Sequence, residues 1–144
     1  MSTNWAQDIN DMHSKYAFHD WMKQQLDSGD TELLRKYLAF RITMLDEEMN
    51  EIRSAALVQD NPEEVVDGLI DLVVFAIGTL DIMGVDANTA WDAVFEANMN
   101  KDVGVKAGRP NRFGMPDLIK RNGWTPPNHE GNHGHLEKIF PKSD

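Results

Sequence analysis

The sequence predicts an all-α fold, built as a helical bundle with an irregular C-terminal arm. Between residues 31 and 57, apolar side chains recur at three- and four-residue steps, as on one face of an amphipathic helix. Asn61-Pro62, a capping residue followed by proline at the first helical position, begins a second long helix. Residues 104–144 contain five of the six prolines and six of the ten glycines, which favours irregular structure.

The order of apolar and breaking residues predicts four helices. The first helix is expected to end where Asp27-Ser-Gly-Asp30 interrupts the pattern, and the third at Gly84, a common C-terminal stop. Asp86 is a suitable cap for the fourth helix. The expected ranges are about 5–26, 31–57, 62–83 and 87–100.

The third helix is apolar over most of its circumference, so we expect it to be buried at the centre of the bundle. We expect it to pack antiparallel to the second helix, with the first and fourth helices flanking the pair and Trp91, Val94 and Phe95 facing inward. We expect one domain that comprises residues 1–127. Its last part, residues 101–127, is expected to form an arm with a short hairpin around residues 118–120. Residues 128–144 are expected to form a mobile polar tail.

Composition excludes several classes of protein. The chain has no cysteine, so disulfides and thiolate metal sites are impossible. The net charge is −10, and residues 1–100 alone carry −13, which argues against binding to a nucleic-acid polymer. No apolar run reaches the roughly 18 residues of a membrane span, and no signal-peptide pattern is present, so we expect a cytoplasmic protein. Residues 101–144 carry +3, which suits a small polyanionic ligand.

Two acidic pairs stand on the two central helices. Glu48-Met-Asn-Glu51 is followed, after twelve residues, by Glu64-Val-Val-Asp67. Residues three apart lie on one helical face, so antiparallel packing can bring four carboxylates together, where a hard cation such as Mg²⁺ would relieve their repulsion. Two plainer interpretations stay open: the first pair can be a solvated surface, and Glu64 can close a capping box with Asn61.

The acidic pairs and their surroundings resemble the all-α NTP pyrophosphohydrolases, which include MazG-like and phosphoribosyl-ATP pyrophosphohydrolase relatives. The resemblance covers roughly residues 10–127. It rests on an E-x-x-E motif followed by E-x-x-D, on the apolar run that begins Asp67-Gly-Leu-Ile-Asp71, and on Asn98-x-x-Lys101. The segment Lys120-x-x-Gly-Trp124-x-Pro-Pro127 is similar to MazG-like proteins of bacteriophages, cyanophages among them.

That resemblance implies a Mg²⁺-dependent enzyme, with Mn²⁺ as an alternative ion. Its metal ligands would be Glu48, Glu51, Glu64 and Asp67, while Glu47 and Asp71 would support the site or act as base, giving Glu47, Glu48 and Asp71 as candidate catalytic residues. The implied reaction converts a (d)NTP to (d)NMP and pyrophosphate. The resemblance also implies a homodimer or homotetramer, located in the host cytoplasm if the protein is phage-encoded.

Three functions remain as hypotheses. The first is hydrolysis of (d)NTPs, with a preference for dGTP- or GTP-type purine nucleotides in phage nucleotide metabolism. The second is phosphoribosyl-ATP hydrolysis. The third is a non-catalytic helical oligomer or binding module, in which the acids are structural and Mg²⁺ has no effect.

Basic residues after the fourth helix are candidates to bind the phosphates. We favour Lys101 and Lys120, with Arg109 as a further candidate; the same segment also contains Lys106, Arg112 and Arg121. Asn98 is expected to bind sugar or phosphate, and Trp124 to stack on the base. Arg41 lies on the face of Glu48, where a phosphate contact and a structural ion pair are equally possible. His13, Tyr16 and Phe18 are alternative stacking residues.

His129-Glu-Gly-Asn-His133 matches the H-E-x-x-H pattern of zinc proteases. That mechanism requires both histidines on one helical turn, and the flanking glycines and prolines make a helix here improbable. We therefore reject a protease, although His129, His133 and His135 could bind adventitious Zn²⁺ or Ni²⁺. Gly108 to Gly114 lacks the order of a phosphate-binding P-loop.

Overall fold

The computed structural model describes residues 1–109 and 111–140, and within them it is mostly helical, which confirms the all-α class. The only strands there form a two-stranded sheet. In chain order the elements are α1 (Trp5–Lys15), α2 (Phe18–Ser28), α3 (Thr31–Leu57), α4 (Pro62–Ile82), α5 (Ala87–Met99), β1 (Asp102–Gly104), β2 (Asp117–Ile119) and α6 (Leu136–Ile139).

The described chain forms two compact units. One contains residues 1–87 and 133–140, and the other lies within Asn88–Asn132. The domain boundaries predicted above, 1–127 and 128–144, stay a prediction. Among the described residues, no single helix is long and apolar enough to cross a membrane. Only α4 and α5 counted together, as one bent pair, reach that length and composition.

The continuous first helix expected over 5–26 is wrong, because the chain breaks between α1 and α2. Ala17 adopts a left-handed conformation with φ of 60°. The break has a tertiary cause: His13 in α1 and His19 in α2 both contact Asp81 in α4. In one straight helix, residues six apart lie about two turns apart and point about 120° away from each other, so both rings could not reach the same carboxylate.

Replacing Ala17 by glycine is expected to stabilise the protein by about 1 kcal/mol, because glycine occupies left-handed backbone without the steric cost of a Cβ. Urea unfolding would measure the change. Ala39→Gly, at an exposed position inside α3, is the matched control and should destabilise by about 1 kcal/mol. A destabilised Ala17→Gly variant would contradict a strained left-handed residue at this break.

The two long helices match their predicted ranges because their ends carry strong local signals. The Asp30 side chain caps α3 by accepting a bond from the Leu33 N–H at 3.0 Å. Asn61 caps α4 in the same way, accepting from the Glu64 N–H at 3.2 Å, ahead of Pro62. α4 ends just before Gly84, which has φ of +73°.

α3 and α4 pack antiparallel, and their interface is the most extensive between any two elements of the described chain. Ile52, late in α3, lies against Gly68, early in α4: a Cβ at Gly68 would approach Ile52 Cγ1 to 2.7 Å. Arg41, early in α3, lies against Gly78, late in α4, where a Cβ would come within 2.8 Å of Nη2. The two glycines let the helices approach closely and set the register between them.

The expectation that α4 is buried on most sides is only partly met. Gly68, Gly78 and Ile82 are buried, but Val66, Leu69 and Ile70 are 64%, 49% and 46% exposed. Within the described chain, α4 contacts mainly α3 and α1, and these three side chains remain as an apolar strip that is about half exposed.

The expected mobile tail after residue 128 instead includes an ordered helix in the first unit. Ile139 of α6 is buried, and α6 packs on α3. Arg35 Nη2 donates a 2.9 Å bond to the Ile139 carbonyl, and the His135 N–H bonds the Met83 carbonyl at 2.6 Å. A buried isoleucine with these bonds is what holds this segment to the helices.

In the second unit, β1 and β2 pair antiparallel, with Val103 opposite Leu118. A short hairpin was expected around residues 118–120; β2 covers two of these residues, but it pairs with β1 across residues 105–116, so the turn does not lie there. Trp91, Val94 and Phe95 were expected to face inward, but all three are exposed, Trp91 to 67%. The prediction failed because an apolar stripe on a helix marks a surface that can be covered, whereas the described residues leave this stripe exposed.

Candidate metal and nucleotide site

Acidic side chains converge where α3 faces α4. Glu48 on α3 is acted on by the charges of Glu51, Asp71, Asp67 and Glu47. Burial and these like charges raise the pKa of Glu48 above its ordinary value of 4.5. The antiparallel packing therefore brings together three members of the predicted quartet, namely Glu48, Glu51 and Asp67, and both of the additional acids.

One oxygen of this acidic cluster has no partner. Glu48 Oε2 is buried and forms no hydrogen bond with any described residue. A buried carboxylate oxygen without a donor is costly, and such an oxygen usually indicates a missing ion or water. An oxygen-rich, strongly negative group of this kind fits a hard divalent cation such as Mg²⁺.

Glu64, the fourth member of the predicted quartet, lies in a different setting. It is exposed in the first turn of α4, and its backbone N–H is capped by Asn61. Its charge is not among those that raise the pKa of Glu48. The register between the helices explains this. Gly68 faces Ile52, and Glu64 lies one turn further toward the start of α4, away from Glu48.

Arg41 is buried and bonded within the interface between α3 and α4. Its Nε donates to Thr79 Oγ1 at 3.0 Å and its Nη2 to the Phe75 carbonyl at 3.2 Å. The guanidinium also lies 5.4 Å from the centre of the Phe75 ring. Of the two roles left open for Arg41, these contacts support the structural one, although its partners are neutral groups and not the acidic quartet.

In the second unit, two predicted phosphate-binding lysines meet one tryptophan. Lys101 Nζ lies 5.4 Å and Lys120 Nζ 4.9 Å from the Trp124 ring centre. Trp124 Nε1 donates a 2.7 Å bond to the Ala97 carbonyl, which fixes the ring. Cation–π attraction holds both ammonium groups near the same ring, while the base-stacking role expected of Trp124 from the sequence stays a prediction.

Two further predicted residues, Asn98 and Arg109, are exposed, and no described side-chain contact joins them to either cluster. Asn98 accepts the Lys101 N–H at its backbone carbonyl, at the end of α5. Arg109 takes part in a turn through its N–H bond to the Lys106 carbonyl. Their candidate roles therefore rest on the sequence alone.

A third polar cluster, around Asp81, was not predicted from the sequence. Asp81 Oδ2 lies 2.7 Å from both His13 Nδ1 and His19 Nε2, while Asn10 Nδ2 donates to Oδ1 at 2.8 Å. Burial alone would raise the pKa of Asp81, but the bonds from Asn10, His19 and His13 outweigh it and lower the pKa. Only the break at Ala17 brings the two histidines together, so sequence spacing could not reveal them.

The histidines near the C-terminus form no helical zinc motif. α6 begins at Leu136, so no helix spans His129 to His133, as expected from the glycines. His133 Nδ1 lies 3.1 Å from Glu137 Oε1. Burial and the nearby charge of Lys138 lower the pKa of His135.

Comparison with known proteins adds one finding. A family model described as phosphoribosyl-ATP pyrophosphohydrolase matches residues 15–98, which is more than half of the chain. The matched region includes every residue of the acidic cluster and ends before Lys101. No curated protein matches the chain.

Proposed function

The chain belongs to the phosphoribosyl-ATP pyrophosphohydrolase family, and from this we propose that it hydrolyses a nucleoside triphosphate between the α and β phosphates, releasing a monophosphate and pyrophosphate. Membership makes it a metal-dependent pyrophosphohydrolase that acts on a nucleotide. The proposal adds the bond that is cleaved, the ion and the residues.

The observation that supports the site most directly is the unpartnered Glu48 Oε2 among five carboxylates. We assign Glu48, Glu51 and Asp67 as ligands of Mg²⁺ or Mn²⁺, with Glu64 kept as the fourth ligand that the sequence motif implies. When bound, the ion would supply positive charge to the phosphates and lower the pKa of a water molecule.

The remaining acids are proposed to handle the proton. Hydrolysis at phosphorus requires a group that accepts a proton from the attacking water. Asp71 and Glu47 are close enough to Glu48 to affect its pKa, and neither is needed as one of the four ligands. We assign them as candidate base or supporting residues, with Asp71, the less exposed of the two, favoured as the base.

Lys101 and Lys120 are proposed to bind the phosphates. Two ammonium groups held near one fixed ring lose less freedom on binding an anion than two free lysines would. We therefore propose Trp124 as the residue that positions them. Asn98 and Arg109 remain proposed contacts for sugar and phosphate, and Arg41 is assigned to holding α3 against α4.

An oligomer is proposed from the uncovered apolar strip on α4. Val66, Leu69 and Ile70 lie at helical spacing and are about half exposed. Apolar residues grouped on one surface typically mark an interface. A second copy of the chain is the proposed partner, as a homodimer or within a homotetramer.

The substrate is proposed to be a purine nucleoside triphosphate of the dGTP or GTP type. Phosphoribosyl-ATP is the second candidate, and the description of the matching family favours it. Both substrates carry a triphosphate whose α–β bond would be cleaved, so the assigned residues serve either one.

Product identification tests the proposal. The purified chain is incubated with a panel of dNTPs, NTPs and phosphoribosyl-ATP, with Mg²⁺, and phosphorus NMR or ion-exchange chromatography identifies the products. We expect monophosphate and pyrophosphate, with activity abolished by EDTA and restored by Mg²⁺ or Mn²⁺. Diphosphate and inorganic phosphate would show cleavage at the β–γ bond and refute the assignment. Activity that survives EDTA would argue against the metal site.

A further inference from the structure

We propose that His13, His19 and Asp81 form a second metal site, which takes a transition-metal ion such as Zn²⁺ and joins α1 and α2 to α4. Two imidazoles and one carboxylate are a ligand set that holds Zn²⁺ in proteins, with water in the fourth position. One ligand atom from each residue lies within 4.8 Å of the others. The site is distinct from the acidic cluster and independent of the proposed reaction.

Each histidine nitrogen lies closer to the Asp81 carboxylate than two ligands of one metal ion lie to each other. Each histidine nitrogen lies 2.7 Å from the same oxygen, Asp81 Oδ2, and so shares a proton with it. Two ligands on a tetrahedral ion with bonds of about 2.0 Å stand about 3.3 Å apart. Moving each nitrogen about half an ångström from Oδ2 would give the spacing of two ligands on one ion, which would then take the place of the hydrogen-bonding protons.

Neighbouring groups already orient two of the three ligands. Asn10 donates to Asp81 Oδ1 at 2.8 Å and fixes the carboxylate plane. Ser14 Oγ lies 3.3 Å from His19 Nδ1. When the ion is bound, His19 would donate its Nδ1–H to Ser14, leaving the Nε2 lone pair facing the site. Supporting hydrogen bonds of this kind are usual behind metal-binding histidines and carboxylates.

Burial also suits a bound ion. The side chains of His13 and Asp81 are only 3% and 13% exposed, whereas His19 is 34% exposed. Two inner ligands therefore hold the ion away from water, and the outer histidine marks a route by which it enters. Arg41 approaches His13 across Gly78, at the Cε1–Nε2 edge of the ring, while Nδ1 faces Asp81.

The two sites should select different ions. Asp71 and Asp81 are ten residues apart on α4, about 15 Å along the helix axis. The acidic cluster offers only carboxylates, which suit Mg²⁺, whereas imidazole nitrogens suit Zn²⁺, Co²⁺ and Ni²⁺. Excess Mg²⁺ would therefore occupy the first site and leave the second free for a transition metal.

Cobalt titration tests the proposal on the full chain. The protein is stripped of metal, supplied with millimolar Mg²⁺, and titrated with Co²⁺ while visible absorption is recorded. We expect d–d bands of a low-coordinate, nitrogen-ligated ion that saturate near one equivalent. The bands should disappear in His19→Gln, a change at the exposed ligand. Stoichiometric Zn²⁺ should displace Co²⁺ and raise Tm by about 5 °C in the wild type only.

Matched variants exclude the other ligand groups. His129→Gln, the same substitution outside the cluster, should keep the bands, and so should Glu48→Gln in the acidic cluster. Absence of the bands in the wild type would overturn the proposal, leaving Asp81 as a purely hydrogen-bonded link. Bands that persist in His19→Gln, or that disappear in His129→Gln, would also overturn it. If His19→Gln does not fold, Asp81→Asn takes its place, and bands that persist in it would overturn the proposal.

Discussion

Glu48→Gln is expected to abolish turnover and yet give a slightly more stable protein. Glutamine has the same shape but lacks the negative charge that the proposed metal site requires, so kcat/KM should fall at least about 100-fold, the scale of losing one group that stabilises transition-state charge. Stability should rise by about 0.5 kcal/mol in metal-free buffer, a small gain because water screens the exposed neighbouring carboxylates. Steady-state kinetics and urea unfolding with EDTA measure the two effects.

The stability gain should depend on pH. The pKa of Glu48 is raised in the folded protein, so the wild type becomes more stable relative to its unfolded chain as pH falls through that raised pKa toward 4.5. The advantage of the glutamine variant should therefore be complete above the raised pKa, shrink as pH falls through it, and be gone below 4.5. Glu96→Gln, an exposed control outside the cluster, should change neither activity nor stability. Normal turnover by Glu48→Gln would remove Glu48 from the site.

Arg41→Ala is expected to cost about 3 kcal/mol of folding free energy. The change removes two charge-assisted bonds, to Thr79 and to the Phe75 carbonyl, and leaves a cavity beside Gly78. Urea unfolding monitored by circular dichroism would measure the loss. Arg53→Ala is the control, and it should cost less than about 0.5 kcal/mol. Arg53 is exposed, and its described hydrogen bond is to Asn50, three residues earlier.

The same variant separates the two roles that the sequence left open for Arg41. If Arg41 only holds α3 against α4, the KM of the folded fraction should stay close to that of the wild type. A large rise in KM with unchanged stability would instead show that Arg41 binds the substrate phosphates.

Local signals were sufficient to predict the two helices that carry the acidic cluster. Regular apolar spacing defines α3. Asp30 and Asn61 are of the residue types that cap helices, and both side chains form the capping bond. The break at Ala17 could not be predicted in this way, because neither glycine nor proline marks it. It depends on Asp81, whose contacts with His13 and His19 span 68 and 62 residues.

The composition of the acidic cluster shows a similar limit. Spacing alone placed Glu64 beside Asp67 as the second acidic pair, and left a capping role open for Glu64. The register between the helices, set by contacts such as Ile52 with Gly68, instead brings Asp71 and Asp67 toward Glu48. Likewise, the contact between Lys101 and the Trp124 ring joins residues that are distant in sequence and meet only in the folded chain.

The short helix α6 has a consequence for the order in which the chain folds. α3 and α4 are joined by residues 58–61 alone, so their contacts close short loops and form readily. The bond between Arg35 and Ile139 instead spans 104 residues and closes a long loop. During synthesis, α3 and α4 can therefore assemble first. The surface of α3 beneath Ile139 then stays exposed until α6 emerges.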